Sequence, residues 1–209
     1  MNKTRDEQLG KRVEELKAYI LNNNDPKGMA FRCGMDYFNE EEFAGFKFSF
    51  FDTTLKVSYP EMVITNAETC ETLKLSSQAL IFYHMVTSDG SPFIGKWISF
   101  AELPEGKFYN QAFQGYSGDE LAGFLGNDVT RFTSGSLKIG GTTLSFGDAA
   151  FQFMALPRVP IAVVFWKGDE EFHSNCKVLF DGSVGHYLPT DACAVLGSML
   201  VQMIKGNQN

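Results

Sequence analysis

Leu156 to Asp191 reads LPRVPIAVVFWKGDEEFHSNCKVLFDGSVGHYLPTD, and this stretch decides the fold. Ile161–Trp166 is a run of β-branched and aromatic residues without polar alternation, which predicts a strand covered on both faces near the centre of a sheet. Pro157 and Pro160 flank Arg158; each removes an N–H and pushes the residue before it into extended geometry, so Arg158 is held at a rigid edge. Lys167-Gly168 breaks the run, and Asp169, Glu170 and Glu171 follow before Phe172. In extended geometry Asp169 and Glu171 would share a face and Glu170 would take the other. Lys177–Phe180 reads as the partner strand, ending at the turn pair Asp181-Gly182. The connection between the strands exceeds the usual two to five residues of a hairpin loop, and such loops often carry function.

Candidate site residues therefore concentrate here. Asp169, Glu171 and Asp181 could hold a cation or cationic ligand; a solvated acidic surface is the competing reading. His173 and Cys176 stand at a spacing compatible with soft-metal ligation, but a metal site usually needs three or four protein ligands. His186, before Tyr187-Leu188-Pro189 and the mouth of a last helix, is a candidate axial ligand or acid–base group. Arg158, Trp166, Asp169, Glu170, Glu171, Asp181 and His186 are the expected lining of a ligand site.

Working outward, Gly147-Asp148 is expected to open a helix through about Leu156, with Asp148 near its positive end. Leu137–Ile139, Gly140-Gly141 and Thr142–Phe146 predict a hairpin. Ser117-x-x-Glu120 has the form of a capping box for a helix to about Leu125, and Tyr109–Phe113 is apolar enough to pack. Trp97–Phe100 reads as a short strand before a turn at Ala101–Gly106. Ser76 or Ser77 is expected to cap a helix carrying Leu80, Tyr83 and His84 that ends at Ser88-Asp89-Gly90. Phe46–Phe50 and Leu55–Tyr59 alternate strictly and predict a hairpin with one apolar face, which Met62–Thr65 would extend before a turn at Asn66–Thr72. Between Met29 and Gly45, Glu40, Glu41 and Glu42 read as the solvated start of a helical turn. Leu9, Val13, Leu16 and Ile20 predict an amphipathic helix from about Asp6 to Leu21, ended by Asn22–Gly28. Thr190 or Asp191 caps the last helix, carrying Cys193, Leu196, Leu200 and Ile204. No repeat or linker divides the chain. The expected class is a single α+β domain over residues 1–209, with a mixed or mainly antiparallel sheet and several packed helices; residues 1–75 form an N-terminal helix and hairpin region.

With 209 residues and 44% hydrophobic content the chain can bury a substantial core. Twenty phenylalanines imply either a thick core or an apolar cavity. A net charge of −7 and a pI near 5.0 argue against general affinity for nucleic acid or anionic membrane. Cys33, Cys70, Cys176 and Cys193 are widely spaced, which fits a reducing cytoplasm and cannot form a standard iron–sulfur run. The charged N-terminus lacks an apolar signal core, so a cytoplasmic location is expected. Neither phosphate-binding glycine pattern, G-x-x-x-x-G-K or G-x-G-x-x-G, is present.

GKWISFAELPEGKFY at Gly95–Tyr109, GGT and GDAAF between Gly140 and Phe151, LPRVP, WKGDEEF, and LFD with the following Tyr187-Leu188 together resemble the family called domain of unknown function 3786. The resemblance runs from about Ser76 to the C-terminus. Members occur mainly in anaerobic bacteria and archaea, and some are fused to a four-cysteine iron–sulfur domain similar to that of corrinoid iron–sulfur proteins. The resemblance implies a setting in anaerobic one-carbon, corrinoid or related metallocofactor metabolism. His173 stands where that family often carries proline, which argues against a shared ligand there.

Three functions remain open. The favoured one is a binding or accessory protein that holds a corrinoid or haem-like tetrapyrrole or another metallocofactor, or docks on a corrinoid or iron–sulfur protein. The second is an enzyme using the acidic loop 169–171 with Asp181 for acid–base or metal-assisted chemistry. The third is a structural interaction module in which Arg158 merely pairs with the acidic loop.

Overall fold

A computed structural model describes residues 3–23, 25–40 and 43–206. The chain is α+β with two sheets, and it divides into two compact units. The first unit comprises the described residues up to Pro92 with Leu156–Arg158 and His186–Pro189; the second comprises Phe93–Ala155, Val159–Gly185 and the described residues from Thr190 on.

In the first unit, helix α1 (Lys3–Asn23) buries Val13, Leu16 and Ile20, the stripe its periodicity predicts, and packs on α3 (Leu75–Thr87). Helix α2 (Pro26–Cys33) starts because the Asp25 carboxylate accepts from Gly28 N at 2.9 Å and Pro26 needs no donor. It ends because Gly34 adopts φ 72°. Strands β1 (Asp36–Glu40), β2 (Phe43–Phe50), β3 (Thr53–Tyr59) and β4 (Ile64–Asn66) form an antiparallel sheet in that order. The alternation predicted for its hairpin sets the register, Phe46 opposite Val57 and Phe48 opposite Leu55, with all four side chains buried. Glu40 closes a strand instead of opening a helical turn; Glu41 and Glu42 lie outside the described residues. Helix α3 begins after Lys74 without a side-chain cap, so Ser76 and Ser77 sit inside its first turn.

The second unit holds β5 (Trp97–Ser99), α4 (Gly106–Gly115), α5 (Gly118–Leu125), α6 (Val129–Lys138), β6 (Thr142–Leu144), β7 (Ala149–Leu156), β8 (Val159–Trp166), β9 (Asn175–Asp181) and α7 (Thr190–Ile204). Its sheet runs β5-β9-β8-β7-β6. As its unbroken apolar run predicts, β8 lies at the centre, with Ile161 to Phe165 buried. Phenylalanines fill the core. Phe100 stacks on Phe113 at 4.2 Å between ring centroids, and Phe132 meets Phe151 and Phe165 at 5.5 and 5.6 Å.

Three expectations are corrected. Residues 149–156 form a strand, not a helix: Asp148 N donates to Phe165 O at 2.9 Å, and its carboxylate accepts from Lys167 N at 2.7 Å, tying it to β8 instead of capping a helix. Leu137-Lys138 ends α6, whose N-cap is Asp128, accepting from Arg131 N at 2.8 Å. Ser117 does precede α5, but its buried hydroxyl donates to Phe113 O, and Glu120 accepts from Lys205 and Gln202. Ser99 with Glu102 does form a capping box, opening a 3-10 turn.

Candidate functional site

The β8–β9 connection folds on itself. One oxygen of Asp169 accepts from Glu171 N and Phe172 N, both at 2.8 Å, while Asp169 N donates to Phe172 O at 2.8 Å. This is a local side-chain turn, so Asp169 and Glu171 do not alternate as on a strand. The backbone N–H groups of Phe172 and Glu171 hold the Asp169 carboxyl below its ordinary pKa. Glu170 and Glu171 are exposed beside it.

The α5–α6 junction holds this turn in place. Asn127 Nδ2 donates to Gly168 O at 3.1 Å, and Gly168 N donates to Asn127 Oδ1 at 2.7 Å, a two-point grip resembling one rung of a strand pair. Between turn and helix end opens a cleft of about 760 Å³ lined by, among others, Asp119, Asn127, Asp169, Phe172, His173 and Asn175. Its walls mix carboxylate, amide and imidazole with glycine backbone at Gly123, Gly126 and Gly168. A convergent set of hydrogen-bonding groups on a braced frame is what a polar ligand needs. Asn127 and Asp119 carry no local signal in the sequence, because their roles depend on a partner loop some forty residues away.

Other expected site residues fall elsewhere. Trp166 ends β8 opposite Asn175, with the Lys177 ammonium 5.8 Å from its ring centroid. Asp181 lies at the far end of β9 from Asn175, six strand steps or roughly 20 Å away, so it shares no reaction centre with Asp169. Its buried carboxylate accepts from Ile94 N, Gly95 N, Ser183 N and Ser183 Oγ at 3.0, 2.8, 2.9 and 2.6 Å. Burial opposes its ionisation, yet those donors keep its pKa below the usual value. Asp181 is thus a brace for the segment before β5.

Arg158 and His186 belong to the first unit, where both grip the loop Ser88-Asp89-Gly90-Ser91. Arg158 does not pair with the acidic loop. It donates to Gly90 O at 3.0 Å and lies 5.7 Å from the Phe31 ring centroid. His186 Nδ1 lies 2.7 Å from Asp89 Oδ2 and 3.2 Å from Ser91 Oγ; Asp89 N donates to His186 O, and the Tyr187 hydroxyl donates to Ser91 O. The Ser91 backbone N–H and the His186 ring bring Asp89 down to about 2. A separate cleft of about 510 Å³ in this unit is lined by Tyr19, Asp25, Arg32, Ser88 and Asp89, among others.

His173 and Cys176 point to different surroundings. His173 is exposed at the larger cleft, whereas Cys176 is buried and its thiol is pushed up to about 12. Burial likewise raises Cys33 to about 11 and raises Cys193, which disfavours the thiolates that metal clusters require. A tetrapyrrole needs a broad apolar slot beside its axial ligand. The 760 Å³ cleft offers His173 and one large apolar side chain, Phe172, among small and hydrogen-bonding residues such as Ala122, Gly123, Gly126, Asn127 and Asp169, so it does not make the broad apolar slot a macrocycle requires. Among the described residues, no helix is long and apolar enough to cross a membrane.

Residues 25–203 match the family model described as "Domain of unknown function (DUF3786)". The chain belongs to that family, and the match reaches further toward the N-terminus than the motifs alone. No curated protein and no solved structure matches it.

Proposed function

We propose that this member of the DUF3786 family is a binding or accessory protein that takes a small, hydrogen-bonding ligand in the cleft of its second unit. The observation that carries this reading is the double hydrogen bond between Asn127 and Gly168, which fixes the Asp169 turn as one wall and leaves Asp119, His173 and Asn175 exposed along the cleft. Preorganised walls lower the ordering cost of binding. The anaerobic cofactor setting implied by the family resemblance supplies a context. The small and hydrogen-bonding side chains of the lining, with Phe172 its one large apolar ring, favour small metabolites of such a pathway over a resident macrocycle.

The enzyme reading that joins residues 169–171 to Asp181 loses support from their separation along β9 and from the saturation of Asp181 by four donors. A thermal-shift screen of polar metabolites, with isothermal titration of each hit, tests the binding reading. Asp119→Asn and Asn127→Ala are expected to weaken the hit about five- to thirtyfold while circular dichroism stays unchanged, since each removes about 1–2 kcal/mol of positioning or contact. Full affinity in both variants would contradict it.

A further inference from the structure

Two carboxylates, Asp119 and Asp169, line the 760 Å³ cleft, and no lysine or arginine does. Proximity in the chain groups Asp169 with Glu171; the fold brings it to one cleft with Asp119 of α5. A single oxygen of Asp169 takes both N–H groups of its turn, which fixes the carboxylate and leaves Oδ2 without a hydrogen bond among the described residues. The same two donors favour its ionised form. Among the described residues the Asp119 carboxylate has neither an ion pair nor a hydrogen bond, whereas its neighbour Glu120 pairs with Lys205.

Basic side chains of the surrounding elements stay out of the lining. The Arg131 guanidinium lies 3.7 Å from the Phe124 ring centroid, and Lys167 is exposed outside the cleft. Lys177 walls a neighbouring recess of about 300 Å³, which Asp119 and Asn175 also border, and its ammonium lies 5.8 Å from the Trp166 ring centroid. The cleft therefore presents negative charge that no cation of its own wall neutralises, and this disfavours an anionic ligand.

Phe172 is the independent observation. Its side chain is 69% exposed and lines the cleft. Among the described residues its ring has no aromatic or cationic neighbour, while Phe124 carries Arg131 and Lys205, and Trp166 carries Lys177. An aromatic face attracts a cation within about 6 Å of its centroid. A ring beside carboxylates thus complements an ammonium group whose N–H donors meet oxygen and whose carbon chain lies on the ring. A hard divalent ion takes six or more oxygen ligands, and among the described residues no three of His, Cys, Asp and Glu converge to hold a metal. Resting on the binding reading above, we propose that the cleft selects an organic cation, a primary alkylammonium held by Asp119 and Asp169 with its carbon chain on the Phe172 ring.

The test uses the whole chain in phosphate buffer, free of competing amines, with butylammonium, 1-butanol and butyrate as probes of one chain length and three charges. Binding is read by saturation-transfer difference NMR and amide-shift titration, at roughly millimolar concentrations because the probes are so small. Butylammonium is expected to bind, with transfer to its chain protons, and the alcohol and the carboxylate to bind at least about fivefold more weakly. Asp169→Asn keeps a side-chain oxygen to accept the turn N–H groups and removes only the charge, and Phe172→Ala changes an exposed ring, so both are expected to fold as the parent does. The first is expected to weaken butylammonium about tenfold and the second about threefold. Butanol or butyrate binding as tightly as butylammonium would overturn the assignment of charge. Unchanged butylammonium affinity in both variants would place its site elsewhere, and the proposal fails. If butylammonium does not bind, the proposal also fails: a metabolite hit sensitive to Asn127→Ala then leaves the binding reading standing, and the absence of any hit removes both.

Discussion

Arg158 adopts φ 62°, at the second position of the Pro157-Arg158 turn, where glycine is the unstrained choice. An arginine is retained there with its guanidinium on Gly90 O and Phe31, and its side chain packs so closely against Gly34 that a Cβ on that glycine would come 3.0 Å from Nε. Arg158→Ala keeps the strained backbone and loses the charge-assisted bond; urea unfolding is expected to show a loss of about 2 kcal/mol. Arg158→Gly relieves the backbone and is expected to lose about 1 kcal/mol less than the alanine variant. An alanine variant as stable as the parent would show that the contact to Gly90 is incidental. In either variant, ligand affinity at the second unit's cleft is expected to stay unchanged. His84 makes a second claim at this scale. Its ring is fully buried, with Nε2 3.2 Å from Cys33 O and Nδ1 3.2 Å from Ser88 Oγ. A carbonyl can only accept, so Nε2 carries the proton of the neutral ring. Burial lowers the His84 pKa to about 4, against backbone hydrogen bonds at Cys33 and Tyr187 that raise it and with nearby Arg158 lowering it further. The unfolded ring titrates near 6.5, so between about pH 6.5 and 4 the unfolded chain binds more protons and stability falls as the solution is acidified. The loss attributable to His84 is roughly 3 kcal/mol across that window, and His84→Gln is expected to flatten the pH dependence of the melting temperature there. An unchanged slope in that variant would assign the acid sensitivity to other groups.

At the scale of elements, what the sequence reveals depends on how local the cause is. The β2–β3 hairpin is legible because Phe46, Phe48, Leu55 and Val57 alternate with polar residues, and a register slip of one would turn all four to the wrong face. The α1 stripe of Val13, Leu16 and Ile20 is legible for the same reason. Strand β7 is not. Gly147-Asp148 followed by AAFQFMAL satisfies helix-start rules locally, and only the bonds of Asp148 to Phe165 and Lys167 reveal that the segment belongs to a sheet. Ser117 and Glu120 show the converse: the right spacing for a cap is diverted to partners on other elements. Packing between α4 and α7 gives a prediction at this scale. A Cβ built on Gly197 would stand 2.7 Å from the Phe113 ring, which itself stacks on Phe100. Gly197→Val is expected to destabilise the chain by about 1–3 kcal/mol through overpacking, measured as a lower urea midpoint. A neutral result would mean that α7 can move away from Phe113 without loss.

For the whole molecule, composition states the class but not the site. Part of the aromatic load forms core, as the packed rings of Phe100, Phe113, Phe132, Phe151 and Phe165 show, while Phe31, Phe43, Phe108 and Phe172 are exposed. The acidic loop was visible in sequence as a long connection, and Asp169 does line a cleft. Its partners Asp119, Asn127 and Asn175 were not visible, since isolated amides and a single carboxylate look like ordinary surface until the α5–α6 junction is placed against Gly168. Arg158 and His186 looked like neighbours of that loop because they are close in the chain, but the fold assigns both to the loop Ser88–Ser91 of the first unit. The central claim is that ligand recognition belongs to the second unit's cleft. Backbone amide chemical-shift mapping of the full chain, titrated with the ligand that gives the largest thermal shift, tests this most directly. The account predicts perturbations concentrated at Gly123–Asn127 and Gly168–Asn175. Perturbations centred on Asp25, Arg32 and Asp89, with that segment silent, would contradict it.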